Sequence, residues 1–320
     1  MAESIRTTDY HTAGEPFRIV VDGVPPLLGR TILDKRRWAA QHLDHIRRLL
    51  VNEPRGHADM YGCFVVDPAE GGDLGVIFFH NEGYSTACGH GTIALVTWAL
   101  ESGRLSAKPP VDGEVVVLVD APSGRLRTWA RVADRDVTSV RFRNVPSFVL
   151  RQAVAIEDVR VDIAFGGAFY AIAPAAVPID REHLPHLIER GRRIKDALNR
   201  AGGVVHPLVP ELCDVYGVIW THGRDNVTVF ADGQVDRSPC GSGTSARLAL
   251  FDARGELVRG ETLLHRSIVG TEFAGRVVAG AEVAGIPAVI TEVEGSAHLT
   301  GRHEFVLEPG DPLGTGFLLR

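Results

Sequence analysis

The sequence predicts a mixed α/β (α+β) protein of two pseudo-symmetric lobes that arose by internal duplication, each lobe a curved β-sheet around a central helix. Two observations predict this. The motif Cys-Gly-x-Gly-Thr occurs twice, at residues 88–92 and 240–244, an offset of 152 in a chain of 320 residues. The stretch running from the first motif, residues 92–100, is apolar on every side, the pattern of a helix buried all round inside a sheet.

The repeat extends beyond the motifs. Ile77-Phe78 reads against Val229-Phe230 at the same offset, and Gly14, Phe17 and Val20 read against Gly166, Phe169 and Ile172. Each half opens on a strand, near residues 17–21 and 169–173. A helix follows. Over residues 36–50, Trp38, Leu43, Ile46 and Leu50 fall near one stripe, and Asn52-Glu53-Pro54 ends it. Over residues 183–201, Leu184, Leu187, Ile188, Ile194 and Leu198 do the same, and Gly202-Gly203 ends it. Strands at 63–66 and 75–79, then at 215–219 and 227–231, lead into the two cysteine loops. The first buried helix is expected to stop at Gly103. The helix after the second motif, 244–253, is mixed in polarity and is expected to be partly exposed. Further β runs read at 115–119, 126–132, 137–142, 276–279 and 289–291. The lobes are divided at 130/131, giving residues 1–130 with Cys88 and residues 131–320 with Cys240.

Composition narrows the function. Apolar residues make up 45% of the chain, enough for sizeable cores, and the net charge of −6 is spread in mixed sign. Nucleic-acid and membrane-surface proteins cluster basic residues instead, so neither partner is expected. No apolar run approaches the roughly 20 residues that span a bilayer. The opening Met-Ala-Glu-Ser-Ile-Arg lacks signal-peptide character, so a cytoplasmic protein is expected. Four cysteines without any Cys-x-x-Cys argue for free thiols rather than a disulfide framework or a zinc site.

Each motif sets a cysteine just before a helix N-terminus, where free N–H groups and the positive end of the dipole lie. The thiol pKa is expected to fall toward neutrality there. The glycines let backbone N–H groups approach a carboxylate closely. Two such devices facing one cleft suit proton exchange at a carbon next to a carboxylate. One thiolate takes the α-proton, the other thiol returns one to the opposite face, and the N–H groups stabilise the developing charge. Cys88 and Cys240 are therefore the expected acid/base pair, and no metal, cofactor or nucleotide is called for. Cys63 and Cys213 lack the Gly-rich loop and read as structural residues. Neither loop carries a phosphate-binding Gly-Lys-Ser/Thr or a full Gly-x-Gly-x-x-Gly. His90, two residues after Cys88, is placed to tune the thiol or bond the substrate. Asp236, four before Cys240, is placed to meet a substrate ammonium, against the alternative of anchoring a turn. His11, Glu15 and Asp59 lie beside glycines as further polar candidates, for the cleft or for the fold.

These segments resemble the proline racemase family. Asp236-Arg237-Ser238-Pro239-Cys240-Gly241-Ser242-Gly243-Thr244-Ser245-Ala246 is similar to that family's second catalytic signature, and Cys88-Gly89-His90-Gly91-Thr92-Ile93 to its first. His11–Pro16, Gly56–Gly62, Gly166–Tyr170 and Gly270–Val277 also resemble family segments, so the likeness runs through essentially the whole chain. It implies a diaminopimelate-epimerase-like fold, with the final segment, about 300–320, packing back on the first lobe. It implies Cys88 and Cys240 as the catalytic pair, His90 and Asp236 as substrate contacts, and the N–H groups of Gly89, His90, Gly241 and Ser242 as the carboxylate site. Ser242 departs from the pattern, since Thr is common there. The hydroxyl is kept and a methyl is lost, which bears on pocket shape.

The family resemblance implies a small imino-acid substrate and no cofactor, in a monomer or homodimer. Its members act as proline racemases, 4-hydroxyproline 2-epimerases or trans-3-hydroxyproline dehydratases. The dehydratases typically lack one thiol of the pair, and both are present here, which favours epimerisation. The Cys-Gly-His-Gly form resembles the hydroxyproline epimerases, so the expected reaction is inversion at C2 of trans-4-hydroxy-L-proline to cis-4-hydroxy-D-proline. The alternatives are proline racemisation, dehydration of trans-3-hydroxy-L-proline, or a non-catalytic imino-acid binder.

Overall fold

The computed structural model describes residues 3–69, 71–105 and 111–319. The chain divides into two compact units, Met1–Val140 with Ser296–Arg320, and Arg141–Gly295. The crossovers thus fall at 140/141 and 295/296, and the segment from Ser296 onward belongs with the first unit.

The first unit begins with β1 (Glu3–Thr12) and β2 (Glu15–Asp22), then α1 (Ile32–His42) and α2 (Asp44–Val51). Strands β3 (Tyr61–Val66), β4 (Leu74–His80) and β5 (Gly83–Tyr84) lead to α3 (Gly89–Glu101). After it come β6 (Gly113–Ala121), β7 (Gly124–Ala133) and β8 (Asp136–Arg143), which carries the crossover. The second unit holds β9 (Ser147–Ile156), β10 (Val159–Phe165), β11 (Phe169–Pro174), α4 (Leu184–Ala201), β12 (Val215–His222), β13 (Asp225–Phe230) and β14 (Gln234–Asp236). Then come α5 (Gly241–Arg254), β15 (Thr262–Ser267), β16 (Glu272–Val283) and β17 (Ile286–Gly295), and β18 (Ala297–Leu307) returns to the first unit.

The duplication is visible in the pairing. In the first unit β18 pairs antiparallel with β1 and β1 with β2. Then β2 runs parallel to β3, β3 antiparallel to β4, β4 parallel to β6, and β6 antiparallel to β7. The second unit repeats that order with β9, β10, β11, β12, β13, β15 and β16. There β16 pairs with β17 and β17 with β9, so the strands close into a ring. Closure removes the free edges that an open sheet would leave. Residues Gly89–Leu100 of α3 and Gly241–Leu250 of α5 are buried throughout. In the second, the expected partial exposure is confined to the C-terminal end. Its polar residues Ser242, Thr244, Ser245 and Arg247 are inside, and exposure begins only beyond Leu250.

Two other features depart from the sequence reading. The helix expected over 36–50 is two helices that meet at Leu43, whose φ of −118° and ψ of 12° break the helical path. The first starts earlier because Thr31 and Asp34 form a reciprocal capping box, satisfying two orphan N–H donors. The repeat also slips by one residue in its opening strand. Phe17 faces inward, edge-on to the His90 ring at 5.6 Å between centroids. Phe169, its partner at the 152 offset, packs in the outer cluster with Leu187, Ile194 and Leu198 of α4. The inward residue is Tyr170, in the cluster that contains Cys240. Successive strand residues point to opposite faces, so one residue of slip exchanges them.

Candidate active site

In the first unit Cys88 is the N-cap of α3, with an extended backbone at φ −153° and ψ 103°. Its sulfur accepts from the Gly91 N–H at 3.2 Å, doing the work of a capping side-chain oxygen. Gly91 is required by space. A Cβ there would lie 2.7 Å from Cys88 Sγ and 2.4 Å from the Phe17 ring. The two ring nitrogens of His90 lie 3.5 and 3.4 Å from the same sulfur. That ring is held edge-on by Phe17 and by Tyr61, the latter at 5.0 Å. Burial pushes the His90 imidazole down to about 3, so it is neutral at physiological pH. Thr12 of β1 donates to the His90 carbonyl at 2.9 Å and ties the strand to the motif.

The second unit repeats the device with different surroundings. Cys240 precedes α5 in a left-handed conformation, φ 62° and ψ 98°, which a non-glycine residue adopts only at a cost. Its sulfur lies 3.7 Å from the Tyr170 hydroxyl and 3.9 Å from the Ser242 hydroxyl, and those two hydroxyls share a hydrogen bond of 2.7 Å. Gly243 matches Gly91, since a Cβ there would come within 2.9 Å of Cys240 Sγ. Upstream, Asp236 accepts from the Ser238 N–H at 2.8 Å, and the Ser238 hydroxyl accepts from the Cys240 N–H at 3.1 Å. Asp236 therefore does anchor the loop, and it is also a buried carboxyl beside a thiol.

The electrostatics of this half differ from the expected lowered thiol. Burial first, and then the neighbouring Asp236 charge, push the Cys240 thiol up to about 12, while the Tyr170 hydrogen bond pulls the other way. Taking the sulfur out of water outweighs the helix N-terminus. Burial likewise lifts the Asp236 carboxyl to about 6, opposed by its bonds to Ser238. Gly89, His90, Gly241 and Ser242 all lie in the first turn of their helices, where N–H groups have no intrahelical acceptor and can meet an anion.

The weaker candidates sit elsewhere in the first unit. His11 on β1 packs against His298 at 5.2 Å between ring centroids, and Glu15 at the head of β2 is fully buried. Asp59 is buried in the loop before β3 with φ 69°. Cys63 is buried in β3, as a structural residue would be, whereas Cys213 is exposed. Among the described residues no three His, Cys, Asp or Glu side chains converge as metal ligands. No helix among them is long and apolar enough to cross a membrane. Phe17, Tyr61, Thr12 and Tyr170 were missed as site residues. The Phe169-Tyr170 pair carried the signal, because only one of two adjacent strand residues can face the interior.

Two like units, each wrapping strands around a buried helix that begins at a cysteine, define a protein of the racemase and epimerase fold class. The chain belongs to the proline racemase family: the family model described as proline racemase matches residues 7–318. It is similar to a Burkholderia multivorans protein named 3-hydroxyproline 2-epimerase, at 46% identity over 100% of this chain and 99% of that one. It is also similar to a Burkholderia cenocepacia protein named trans-3-hydroxy-L-proline dehydratase, at 45% identity with the same coverage. Among solved structures it matches a hydroxyproline epimerase from Agrobacterium vitis with bound trans-4-hydroxy-L-proline. That match has a TM-score of 0.92 and 32% identity, and covers 99% of this chain and 96% of the other.

Proposed function

We propose that this protein inverts C2 of a hydroxyproline without a cofactor, Cys88 and Cys240 exchanging roles as base and acid. The observation that carries this reading is the repeated sulfur seat. In each unit a buried cysteine heads the central helix, with a glycine three residues on that a methyl group could not replace. Inversion needs a proton to leave one face of C2 and another to reach the opposite face, which two thiols supply. First-turn N–H groups of α3 and α5 bind the carboxylate and stabilise the charge that spreads into it. Asp236 meets the ring ammonium.

The names of the relatives support one position for the ring hydroxyl. The motif form pointed to C4, but the relatives at 46% and 45% identity bear names that place it at C3, against 32% for the 4-hydroxyproline complex. A 3-hydroxyproline is therefore the proposed substrate. The second reading is dehydration of trans-3-hydroxy-L-proline, favoured by the 45% identical relative of that name. The same C2 proton is removed. The electron pair then expels the C3 hydroxyl, which leaves with a proton as water, and the enamine becomes the cyclic imine. A second thiol that returns a proton to C2 competes with that loss, and both thiols are present.

The test is incubation with trans-3-hydroxy-L-proline, trans-4-hydroxy-L-proline or L-proline in deuterated water with reductant, followed by NMR. Loss of the α-proton signal with growth of the cis-D epimer of 3-hydroxyproline supports the proposal. Imine formation instead replaces it with the lyase reading. Inversion only of 4-hydroxyproline or proline moves the substrate while keeping the chemistry. Activity that survives Cys240→Ser removes the two-thiol mechanism.

A further inference from the structure

The two units share a plan but differ in one part of their cores. In the second unit, strand β13 turns Val227 and Val229 outward against α4, so Asn226 and Thr228 face inward. In the first unit Ile77 and Phe79 pack outward in the cluster with α1 and α2, so Val76 and Phe78 are the inward residues. Followed across the ladders from the Phe17–Tyr170 match, Phe79 answers to Val229 and Gly75 to Asp225, an offset of 150 in place of the 152 read from the sequence, and the parallel pairing of Gly75 with Asp120 and of Asp225 with Arg266 then matches Val119 to His265. The cysteine motifs match Leu95 on α3 to Arg247 on α5. At four matched buried positions the first unit is apolar and the second is polar.

The polar set is bonded in part. Thr244 donates its hydroxyl proton to the Cys240 carbonyl at 2.8 Å, so the 2.7 Å contact with His265 Nδ1 is one in which the ring N–H donates. His265 Nε2 is then a bare acceptor. The Asn226 amide nitrogen donates to the Arg266 carbonyl at 3.0 Å, which leaves its Oδ1 as an acceptor inside. Arg247 uses Nη2 on the Gly223 carbonyl. Among the described residues, His265 Nε2, Asn226 Oδ1 and Arg247 Nη1 are buried and have no hydrogen-bond partner. Each such group destabilises the fold if nothing meets it. Thr228 lies beside the Cys240 thiol, so the set borders the cysteine.

We propose that Arg247, His265 and Asn226 bind an internal water molecule between α5 and strands β13 and β15, and that this hydrated inset holds the backbone of Cys240. The requirement selects the ligand. Two acceptors and one donor need a molecule that gives two protons and takes one. The two acceptors turn away an anion, and the guanidinium turns away a cation. Buried waters typically make about three bonds of this kind. The path from the water runs through His265 Nδ1–H to Thr244 and on to the Cys240 carbonyl, where the left-handed backbone needs support. Thr92 bonds the Cys88 carbonyl in the same way at 2.8 Å, but there the backbone is extended and the matched positions around the helix are apolar, so what sets Cys240 apart is the polar set behind Thr244.

A high-resolution crystal structure tests the site directly. Density within hydrogen-bond distance of His265 Nε2, Asn226 Oδ1 and Arg247 Nη1 is expected. A dry site, or direct bonds among the three side chains, overturns the proposal. Variants give a second readout that needs no turnover and so stands apart from the reaction proposed above. His265→Val, the residue matched in the first unit, strands two partners and the water, and a loss of several degrees in Tm is expected. The triple variant Asn226→Val, Arg247→Leu, His265→Val reproduces the apolar set. It is expected to regain part of that loss, to show no density at the site, and to change the rate of alkylation at Cys240 but not at Cys88, read peptide by peptide. A triple variant whose loss equals the sum of its three single losses, or unchanged alkylation at Cys240 with the water gone, also overturns the proposal.

Discussion

The Tyr170 hydroxyl lies 3.7 Å from Cys240 Sγ while it shares a 2.7 Å hydrogen bond with Ser242 Oγ. Both residues are buried, so the phenol is a fixed donor for a thiolate in a place where water is scarce. Tyr170→Phe should therefore raise the Cys240 thiol further and slow its alkylation at a given pH. A hydrogen bond to a charged group is worth about 1.5–3 kcal/mol, so roughly a ten- to hundredfold loss of turnover is expected. Site-resolved alkylation against pH, beside the limb of the pH–rate profile, checks it. A rate loss without any change at Cys240 would show that the hydroxyl acts only by packing.

Asp236 acts on the same thiol with the opposite sign, since its charge is one of the causes that hold Cys240 up. Asp236→Asn should make Cys240 more acidic and speed its alkylation near neutral pH by several-fold, while turnover is expected to fall with loss of the proposed ammonium partner. Faster thiol chemistry in a slower enzyme is the signature to look for.

Stability against pH separates the two halves. The folded carboxyl of Asp236 stands near 6, above its ordinary 3.8, so between those values the folded state holds more protons than the unfolded. Its contribution to stability therefore falls as pH rises through that window. His90 is the reverse. Its imidazole stands near 3 when folded against 6.5, so the unfolded state takes up the proton first and stability falls as pH drops. From about pH 4 to 6 the two oppose each other. Thermal melts of Asp236→Asn should climb more steeply with pH than those of the wild type, and melts of His90→Gln less steeply. Parallel curves for all three proteins would contradict these shifts.

The glycines that seat the sulfurs should not be interchangeable with alanine. Gly91→Ala places a Cβ 2.4 Å from an aromatic ring and 2.7 Å from Cys88 Sγ. Gly243→Ala meets the tip of Ile219 at 2.8 Å and Cys240 Sγ at 2.9 Å. Overpacking of this kind costs about 1–3 kcal/mol. Both variants should lose activity, and the first should lose more in Tm because an aromatic ring yields less than the end of an isoleucine.

Much of the fold was legible because period and punctuation are local. The all-round apolar character of 92–100 marked a buried helix, the strand at 75–79 lies within β4, and the one at 227–231 lies within β13 except for its last residue. Polar strands carry no such local mark. β1 and β18 carry Thr, Asp, His and Arg residues that mimic loops, and their strand character comes from pairing across nearly 300 residues of chain, as between Ile5 and Phe305. The break at Leu43 was missed because a stripe of apolar residues runs on across two short helices.

The family, the duplication and the two cysteine motifs with their glycines can be read along the chain, since each is written in contiguous residues. Tertiary structure decided how each motif is surrounded. Burial, rather than the motif, holds Cys240 up and His90 down, because the cost of a charge depends on how much water the whole fold removes. Strand register decided that Tyr170 and not Phe169 reaches the cysteine. It also decided that four apolar positions in one unit answer to four polar ones in the other, a relation that no single stretch of the chain contains.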